Sequence, residues 1–555
     1  MLSLWLFWLL QTAQGDSAAL LRQARRAQAD FEWIHRMRLP FGDARSGREC
    51  DERIGRFCYW HDDTPDVAPP EPPAVGVARE PLIKVLDDVA GAIPGDAWVA
   101  GQRVRYLVEA GRTEQALAAA RACRAARWWC RALEGFARHA AGDFLGADSA
   151  YQVALEHMPA AERCRWTDLS SLLEDPVRRA YRRLGCGNRE AWEARVWWQA
   201  QPLLARAGND RRTEHFARVT MARLLEHAPS PYGILGGDDL TQLTVRYGWP
   251  TSWTRSGGAA ADLVVVGHDR QPSYHFLPDG LALDDTTTGE GRVSDATIAR
   301  LRPRERYAPA YVETFSMLEP EFAAFRRGDS TLVVAVYDLV ADSLFRDGAR
   351  EAALVLARDE RTPPVVERRA AAEPAGVLVA VAPWEPRLAS LEVWAPARRH
   401  AARARIDLRA AAATRVAVSD LLVFQPGDSL PQDLWAVLPQ LRGSAALPRG
   451  SRIGLYWEVY GVPNVGAALE TSVSVVPDRV GWVRRAVQAV GLASRPRRTR
   501  LEWREEGRPR DGIVWRAVVL DLAGLAPGRY RIELAVAPIG AAAASTSRAI
   551  RVVAR

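Results

Sequence analysis

The spacing of apolar residues changes once along this chain, and that change limits the fold more than any other feature. Up to about residue 254, apolar side chains recur at three- and four-residue steps, the period of helices. From about Tyr311 onward they fall in short runs divided by turn residues, the pattern of strands. Such a chain is multidomain, helical first and β-rich afterwards. Its 555 residues suit about three to four domains of roughly 150 residues each. With 48% apolar and 25% charged residues, it is expected to fold rather than stay disordered.

The cysteines follow the same division. Cys50, Cys58, Cys123, Cys130, Cys164 and Cys186 all lie in the first part, and the β-rich remainder has none. Six cysteines allow about 15 pairings; pairing of sequence neighbours, Cys50–Cys58, Cys123–Cys130 and Cys164–Cys186, is expected. Disulfides imply an oxidising compartment. Residues 2–10, LSLWLFWLL, are apolar, and Ala13 and Gly15 supply small residues before Asp16. This is the form of a secretory signal peptide over residues 1–15, though it lacks a basic leading region. It is shorter than the roughly 20 residues of a membrane span. The mature chain is therefore expected to be exported, periplasmic or outer-membrane-associated, without an integral span. Cys58 with His61, Asp62 and Asp63 is the nearest approach to a metal-binding set, but Cys-x-x-Cys spacing is absent, so neither metal nor cofactor is expected.

Composition narrows the chemistry further. Lys84 is the only lysine among 74 basic residues, which removes Gly-Lys-Ser/Thr phosphate loops and leaves Lys84 alone for Schiff-base chemistry. Net charge is +7, but arginines are interleaved with acidic residues nearly everywhere, and the dense run Arg495 to Arg500 sits between strands. Nucleic acid is not an expected partner. No Gly-x-Ser-x-Gly elbow occurs.

In chain order, Ser17 to Met37 is predicted as an amphipathic helix, and residues 16–62 as that helix plus a disulfide loop. The prolines of 63–81 mark a linker. Residues 82–200 carry a repeat: Gly111 and Ala116 recur 31 residues later as Gly142 and Ala147. Gly135, Ala147, Tyr151, Ala154 and Pro159 fall at the small, aromatic and proline positions of a tetratricopeptide repeat, which the second copy resembles. Trp128 replaces the proline of the first copy. Two copies fall short of the three or so that such arrays need, so flanking helices, including Glu190 to Ala207, are expected to cap the stack.

Pro202 to Thr254 organises the rest. Asn209 is placed as an N-cap with Asp210 behind it. Arg211, Glu214 or His215, and Arg218 follow along one helix side, with Phe216, Val219, Leu224 and Leu225 as the buried side. A Gly236-Gly237-Asp238-Asp239 turn opens a second helix that ends in Arg246-Tyr247-Gly248-Trp249-Pro250. This resembles the bacterial GWxTD-domain proteins, which have an Asn-x-x-x-x-Glu-x-x-x-Arg helix, the naming segment, an Arg-Tyr-Gly-x-Pro turn and a β-rich remainder. Asn209, Glu214, Arg218, Arg246, Tyr247, Gly248 and Pro250 match, while Tyr232 to Asp239 replaces the naming segment, leaving Asp239 as its one carboxylate. The resemblance implies an exported envelope protein with no established reaction. Its candidate binding cluster is Asn209, Glu214, Arg218, Asp239, Arg246 and Tyr247, at a groove. The reading preferred to a binding cluster is that Glu and Arg pair with each other and fix the helix against the turn; no catalytic residue is assigned.

His268, Asp269, His275 and Asp279 follow in a strand-and-turn segment whose histidine spacing does not match a zinc helix. The β-rich part is expected to form two immunoglobulin-like sandwiches, over 311–440 and 441–555, after a GWxTD-like unit over 201–310. An inserted helix is expected at Gly481 to Val490. Trp457, Trp503 and Trp515 are expected in the core; exposure on one face would instead mark a carbohydrate platform. The function expected is that of an exported envelope scaffold or adaptor binding other proteins through its helical groove and sandwich edges. The alternative is a ligand-binding protein or hydrolase-like enzyme using the central polar cluster. The sequence sets no oligomeric state.

Overall fold

The computed structural model describes residues 2–42, 50–61, 69–256, 263–270, 272–278, 302–346, 348–385, 387–408, 416–444, 446–462, 468–478, 499–540 and 542–554, without the side chains of 2–15 and 499. It has two compact units, Met1–Glu313 and Thr314–Arg555. Helices dominate the first, and strands in several sheets make up most of the second. The helix expected at Gly481 to Val490 and most of the Arg495 to Arg500 run lie outside the described residues.

In the first unit, α1 (Leu2–Arg38) buries Ala24, Gln28, Phe31, Glu32 and His35 at helical spacing. The Cys50–Cys58 disulfide closes a hairpin of β1 (Glu52–Ile54) and β2 (Phe57–Tyr59). Helix α2 (Pro73–Ala92) overturns the second half of the expected linker. Pro73 occupies the first helical position, where its missing N–H is no loss. Pro81 inside the helix is carried by the buried Val75, Leu82, Ile83, Leu86 and Val89. Proline content alone does not separate a linker from a helix start.

Two packed helix pairs follow, α3 (Ala97–Glu109) with α4 (Thr113–Ala122) and α5 (Arg127–Ala140) with α6 (Phe144–His157). The side chains of Asp96 and Asp143 cap α3 and α6. Gly111 and Gly142, one in each pair's turn, both adopt positive φ, +71° and +78°. A Cβ on Gly135 would lie 2.9 Å from the Tyr151 ring, so this glycine lets α5 and α6 approach. Disulfides join Cys123 to Cys130 and Cys164 to Cys186, again sequence neighbours. Helices α7 (Ala160–Thr167), α8 (Asp175–Arg183) and α9 (Glu190–Ala200) complete this part. Helix α9 stops at Ala200 rather than Ala207, because the residue before Pro202 is steered out of helical backbone.

Helix α10 (Asp210–Leu225) packs against α3, α5, α6 and α9, and against α11 (Asp238–Tyr247). Most of it is buried, including Asp210, Arg211, His215 and Arg218. This is the central helix of the unit: Asp210, Arg211 and Arg218 are internal, while Arg212 and Arg223 stay partly exposed. It also covers the faces of α3 and α5 that an open helical groove would present; Leu224 reaches Gly101, where a Cβ would meet it at 2.5 Å. A ribbon of β3 (Ser252–Ser256) and β4 (Val264–His268) follows. Val264, at the start of β4, is exposed.

In the second unit, a sheet ordered β10-β7-β6 (Ala375–Ala382, Ser330–Asp338, Glu321–Arg327) shares a core with one ordered β5-β12-β11-β8-β9 (Thr314–Met317, His400–Asp407, Leu388–Ala395, Glu351–Ala357, Val365–Arg369). A second pair shares another core. One sheet is built on β16 (Arg452–Tyr460) with β13 (Ala417–Val418), β14 (Leu422–Phe424) and β19 (Ile513–Asp521). The other is ordered β15-β21-β20-β17-β18 (Ala446–Pro448, Ala544–Val553, Gly528–Pro538, Ala468–Pro477, Thr499–Glu506). Residues 417–424, within the 311–440 expected for the first sandwich, thus supply β13 and β14 to the second pair of sheets. Strand β7 is buried on both faces: Val333, Ala335 and Tyr337 face one core, and Leu332, Val334 and Val336 pack with Phe424 and Tyr456.

Trp457 is fully buried, and it pairs across strands with Arg516, whereas Trp515 pairs with Glu458. Trp457 and Trp515 therefore point to opposite faces. Trp503 packs on Trp457, and the carbohydrate platform is set aside.

No helix among the described residues is long and apolar enough to cross a membrane. The three disulfides fit an exported protein.

Candidate functional site

Local sequence builds the site in steps. The Asn209 side chain accepts from the Arg212 N–H at 2.9 Å and donates to the Trp197 carbonyl at 2.6 Å, which caps α10 and ties it to α9. One turn on, Glu214 and Arg218 pair at 2.5 Å, four residues apart on the helix. The other Glu214 oxygen meets His139 Nε2 at 2.7 Å, and His139 Nδ1 contacts the Thr213 hydroxyl at 2.9 Å. Burial would push the Glu214 carboxyl up, but Arg218 and His139 hold it well below the usual carboxylate range. Arg218 also donates to the carbonyls of Arg246 and Arg306, each at 2.7 Å. Gly248, at φ +95°, passes so close that a Cβ there would lie 3.3 Å from this guanidinium. That is a physical reason for glycine after Arg246-Tyr247.

Arg246 and Tyr247 turn the other way, toward the disulfide hairpin. Arg246 forms a two-pronged pair with Glu52, both contacts 2.7 Å, and Tyr247 donates to the same carboxylate at 2.7 Å. The Tyr247 ring stacks on Tyr59 at 3.6 Å. Burial raises the Glu52 carboxyl, yet the bonds from Arg246 and Tyr247 leave it lowered on balance. Asp239 is held by Arg56 through two contacts of 2.6 Å, which set its carboxyl well below the ordinary range. It lies in the first turn of α11 rather than at the N-cap.

The six expected residues therefore do not form one cluster. Asn209, Glu214 and Arg218 belong to α10, Arg246, Tyr247 and Asp239 are bound to the hairpin, and the Arg218 bond to the Arg246 carbonyl links the groups. Sequence reasoning missed His139, Glu52 and Arg56. The signal for the last two was available, since a short disulfide-closed loop fixes its side chains in place.

Beneath α10 lies a second buried set. Arg211 and Glu305, both fully buried, pair at 2.5 Å, and His275 Nδ1 lies 2.9 Å from Glu305. Asp210 accepts from the hydroxyls of Tyr307 and Tyr311 at 3.0 and 3.1 Å, and burial pushes its carboxyl up to about 6. His268 contacts Thr254 at 2.7 Å, and Asp269 accepts from Tyr59 at 2.8 Å. His268, Asp269 and His275 thus have different partners, and Asp279 lies outside the described residues. Among the described residues, no three His, Cys, Asp or Glu side chains are grouped to hold a metal ion.

Two cavities of about 360 Å³ flank these pairs. One is walled by the hairpin and β4, with Tyr59, Tyr247 and Asp269 in its lining. The other lies among α1, α3, α5, α10 and the Trp249-to-Trp253 turn, and is lined by His35, Glu109, Phe136, His139, Glu214 and Trp253 among others.

No protein-family model matches the sequence, and no curated protein is similar to it. Among solved structures, the chain is similar to red sea bream transglutaminase at 13% identity and a TM-score of 0.12, covering 43% of this chain and 31% of that one. It is also similar to a Bacteroides uniformis beta-glucuronidase at 7% identity and a TM-score of 0.15, covering 40% and 26%. The chain thus spans less than a third of either protein, and scores this low indicate neither a shared overall fold nor a function.

Proposed function

We propose that this chain is an exported scaffold or adaptor protein of the cell envelope, a divergent relative of the GWxTD-domain proteins, that binds a partner rather than transforming a substrate. One observation carries the reading: Glu214, Arg218, Asp239 and Arg246 are all engaged by other side chains of the same chain, and an open cavity borders Glu214 and Arg218. A carboxylate lowered by bound arginines is a poor general base. The likeness of the α3–α4 and α5–α6 pairs to tetratricopeptide repeats, and of the paired sheets to immunoglobulin-like sandwiches, supports an association role. Strand edges suit that role less, because β9 carries Glu367, Arg368 and Arg369 and β18 carries Arg500, Glu502, Arg504 and Glu505. Helix α10 covers the α3 and α5 faces, and the cavity beside Glu214 opens next to it. The ligand-binding or hydrolase-like alternative keeps one point in its favour, the Asp269 carboxyl, raised by burial to about 6 beside the Tyr59 hydroxyl.

The test is a photo-crosslinking residue at Thr251, exposed on the cavity rim, in the full chain expressed in the cells that make it. The reading expects one discrete adduct from position 251 and none from a control at exposed Lys84. Equal labelling from both positions, or none from either, overturns it.

A further inference from the structure

The cavity beside Glu214 has its charges layered. Glu71, Glu109 and Glu214 line it with side chains 39%, 16% and 18% exposed, whereas their arginine partners Arg79, Arg105 and Arg218 are 5%, 0% and 5% exposed. Arg79 and Arg218 also line the cavity but are the less exposed partners, and Arg105 does not reach it, so three carboxylates against two guanidiniums leave the lining net negative. Trp249 and Trp253, 5.0 Å apart edge to face, and Phe136 supply aromatic surface on the same walls.

An independent observation comes from His35, which lines the same cavity and is only 3% exposed. Among the described residues neither of its ring nitrogens has a hydrogen-bond partner, and carboxylate oxygens lie 3.6 Å away on Glu32 and 4.0 Å away on Glu71. Glu32, also 3% exposed, gives one oxygen to Arg105 and Tyr106 and leaves the other without a bond. Buried polar groups are normally satisfied, so this corner is built to receive a polar group from outside. The described residues do not supply the three-ligand grouping of a metal site. Carboxylates beside aromatic faces instead suit an organic cation, whose N–H groups bond the carboxylates while its charge rests on the rings. About 360 Å³ admits one side chain, not a folded domain.

We infer that this cavity binds a guanidinium or alkylammonium group, presented as a basic side chain on an extended segment of the partner polypeptide. The inference rests on the adaptor reading and names the chemistry its partner carries.

Calorimetric titration of the full chain with acetyl-Gly-Arg-Gly-amide tests it, beside the same peptide with citrulline for arginine and beside agmatine as a free cation. The arginine peptide should bind, and the citrulline peptide should bind about tenfold more weakly or worse, because a charge-assisted hydrogen bond is lost. Glu71→Gln, at the more exposed carboxylate, should weaken the arginine peptide, read only if its melting curve matches the parent because buried Arg79 loses a partner. Glu109→Gln should do the same, read only if its melting curve also matches the parent. Equal binding of the citrulline peptide overturns the cation site. Agmatine binding as tightly as the peptide overturns the polypeptide source and leaves a small-amine site. If no probe binds while Thr251 still crosslinks a single partner, this inference fails and the adaptor reading stands; if the crosslink is also absent, the adaptor reading fails.

Discussion

The two units are each organised around one buried element, and the two elements follow opposite chemistry. Strand β7 is apolar on both faces and lies between two cores. Helix α10 is equally buried but carries Asp210, Arg211, Glu214, His215 and Arg218. Burial of β7 follows from the hydrophobic effect, and residues such as Val333 and Val334 need no partner to stay inside. Burial of α10 requires that each charge meet an opposite charge or a donor. Arg211 has Glu305, Arg218 has Glu214, and Asp210 has two tyrosine hydroxyls. A core of the first kind degrades gradually under substitution, whereas one of the second kind fails when a single partner is removed.

The largest expected effect tests that contrast directly. Arg211→Met should destabilise the helical unit by about 3–5 kcal/mol, because Glu305 is left charged and buried. The double variant Arg211→Met/Glu305→Leu should recover much of that loss. Hydrogen exchange resolved by unit is the measurement, and equal destabilisation by the single and double variants would show that the pair acts only through its volume.

A smaller effect should come from Asp210, through pH. Burial, partly offset by the bonds from Tyr307 and Tyr311, raises its carboxyl from 3.8 to about 6. The folded chain thus holds this proton more tightly than the unfolded chain does. Its contribution to stability is fully present below the unfolded value and is lost as pH rises through about 6. At roughly 1.4 kcal/mol per pKa unit, the change approaches about 3 kcal/mol. Asp210→Asn should therefore gain stability relative to the parent between pH 4 and pH 8, measured by denaturant unfolding at both values. Parallel behaviour at the two pH values would place the Asp210 carboxyl in the ordinary range and remove it from the comparison.

The smallest effect belongs to the β unit. Ile453→Val, at a fully buried position of β16, should cost only about 0.5–1.5 kcal/mol. It should leave hydrogen exchange in the helical unit unchanged. A loss as large as that of Arg211→Met would erase the distinction between the two cores.

The same contrast explains what could be read in advance. Strands such as Gly528–Pro538 and Ala375–Ala382 were legible because alternating or continuous apolar runs report burial directly. Strands Glu321–Arg327 and Val365–Arg369 were not, because their arginines and glutamates mask that pattern. Helix α10 was legible as a helix, including its Asn209 cap and a Glu–Arg pair on it, but its burial among α3, α5, α6 and α9 was not. The grouping of Asp239 and Arg246 with Glu214 failed for a related reason. Closeness in sequence does not say which distant carboxylate or arginine each will meet, and here Glu52 and Arg56 arrive from a loop nearly two hundred residues earlier.

By itself the sequence determined the order of helices and then strands, the cap of α10, the turn glycines at 111 and 142, and a cysteine distribution confined to the helical part. Each depends on residues near one another along the chain, through backbone preference, periodicity or short-range spacing. Tertiary structure alone decided that α10 is central, that the hairpin supplies the partners of Arg246 and Asp239, and that β13 and β14 join the second pair of sheets. Those outcomes depend on which charges and which strand edges meet across long separations, and local pattern carries no record of that pairing.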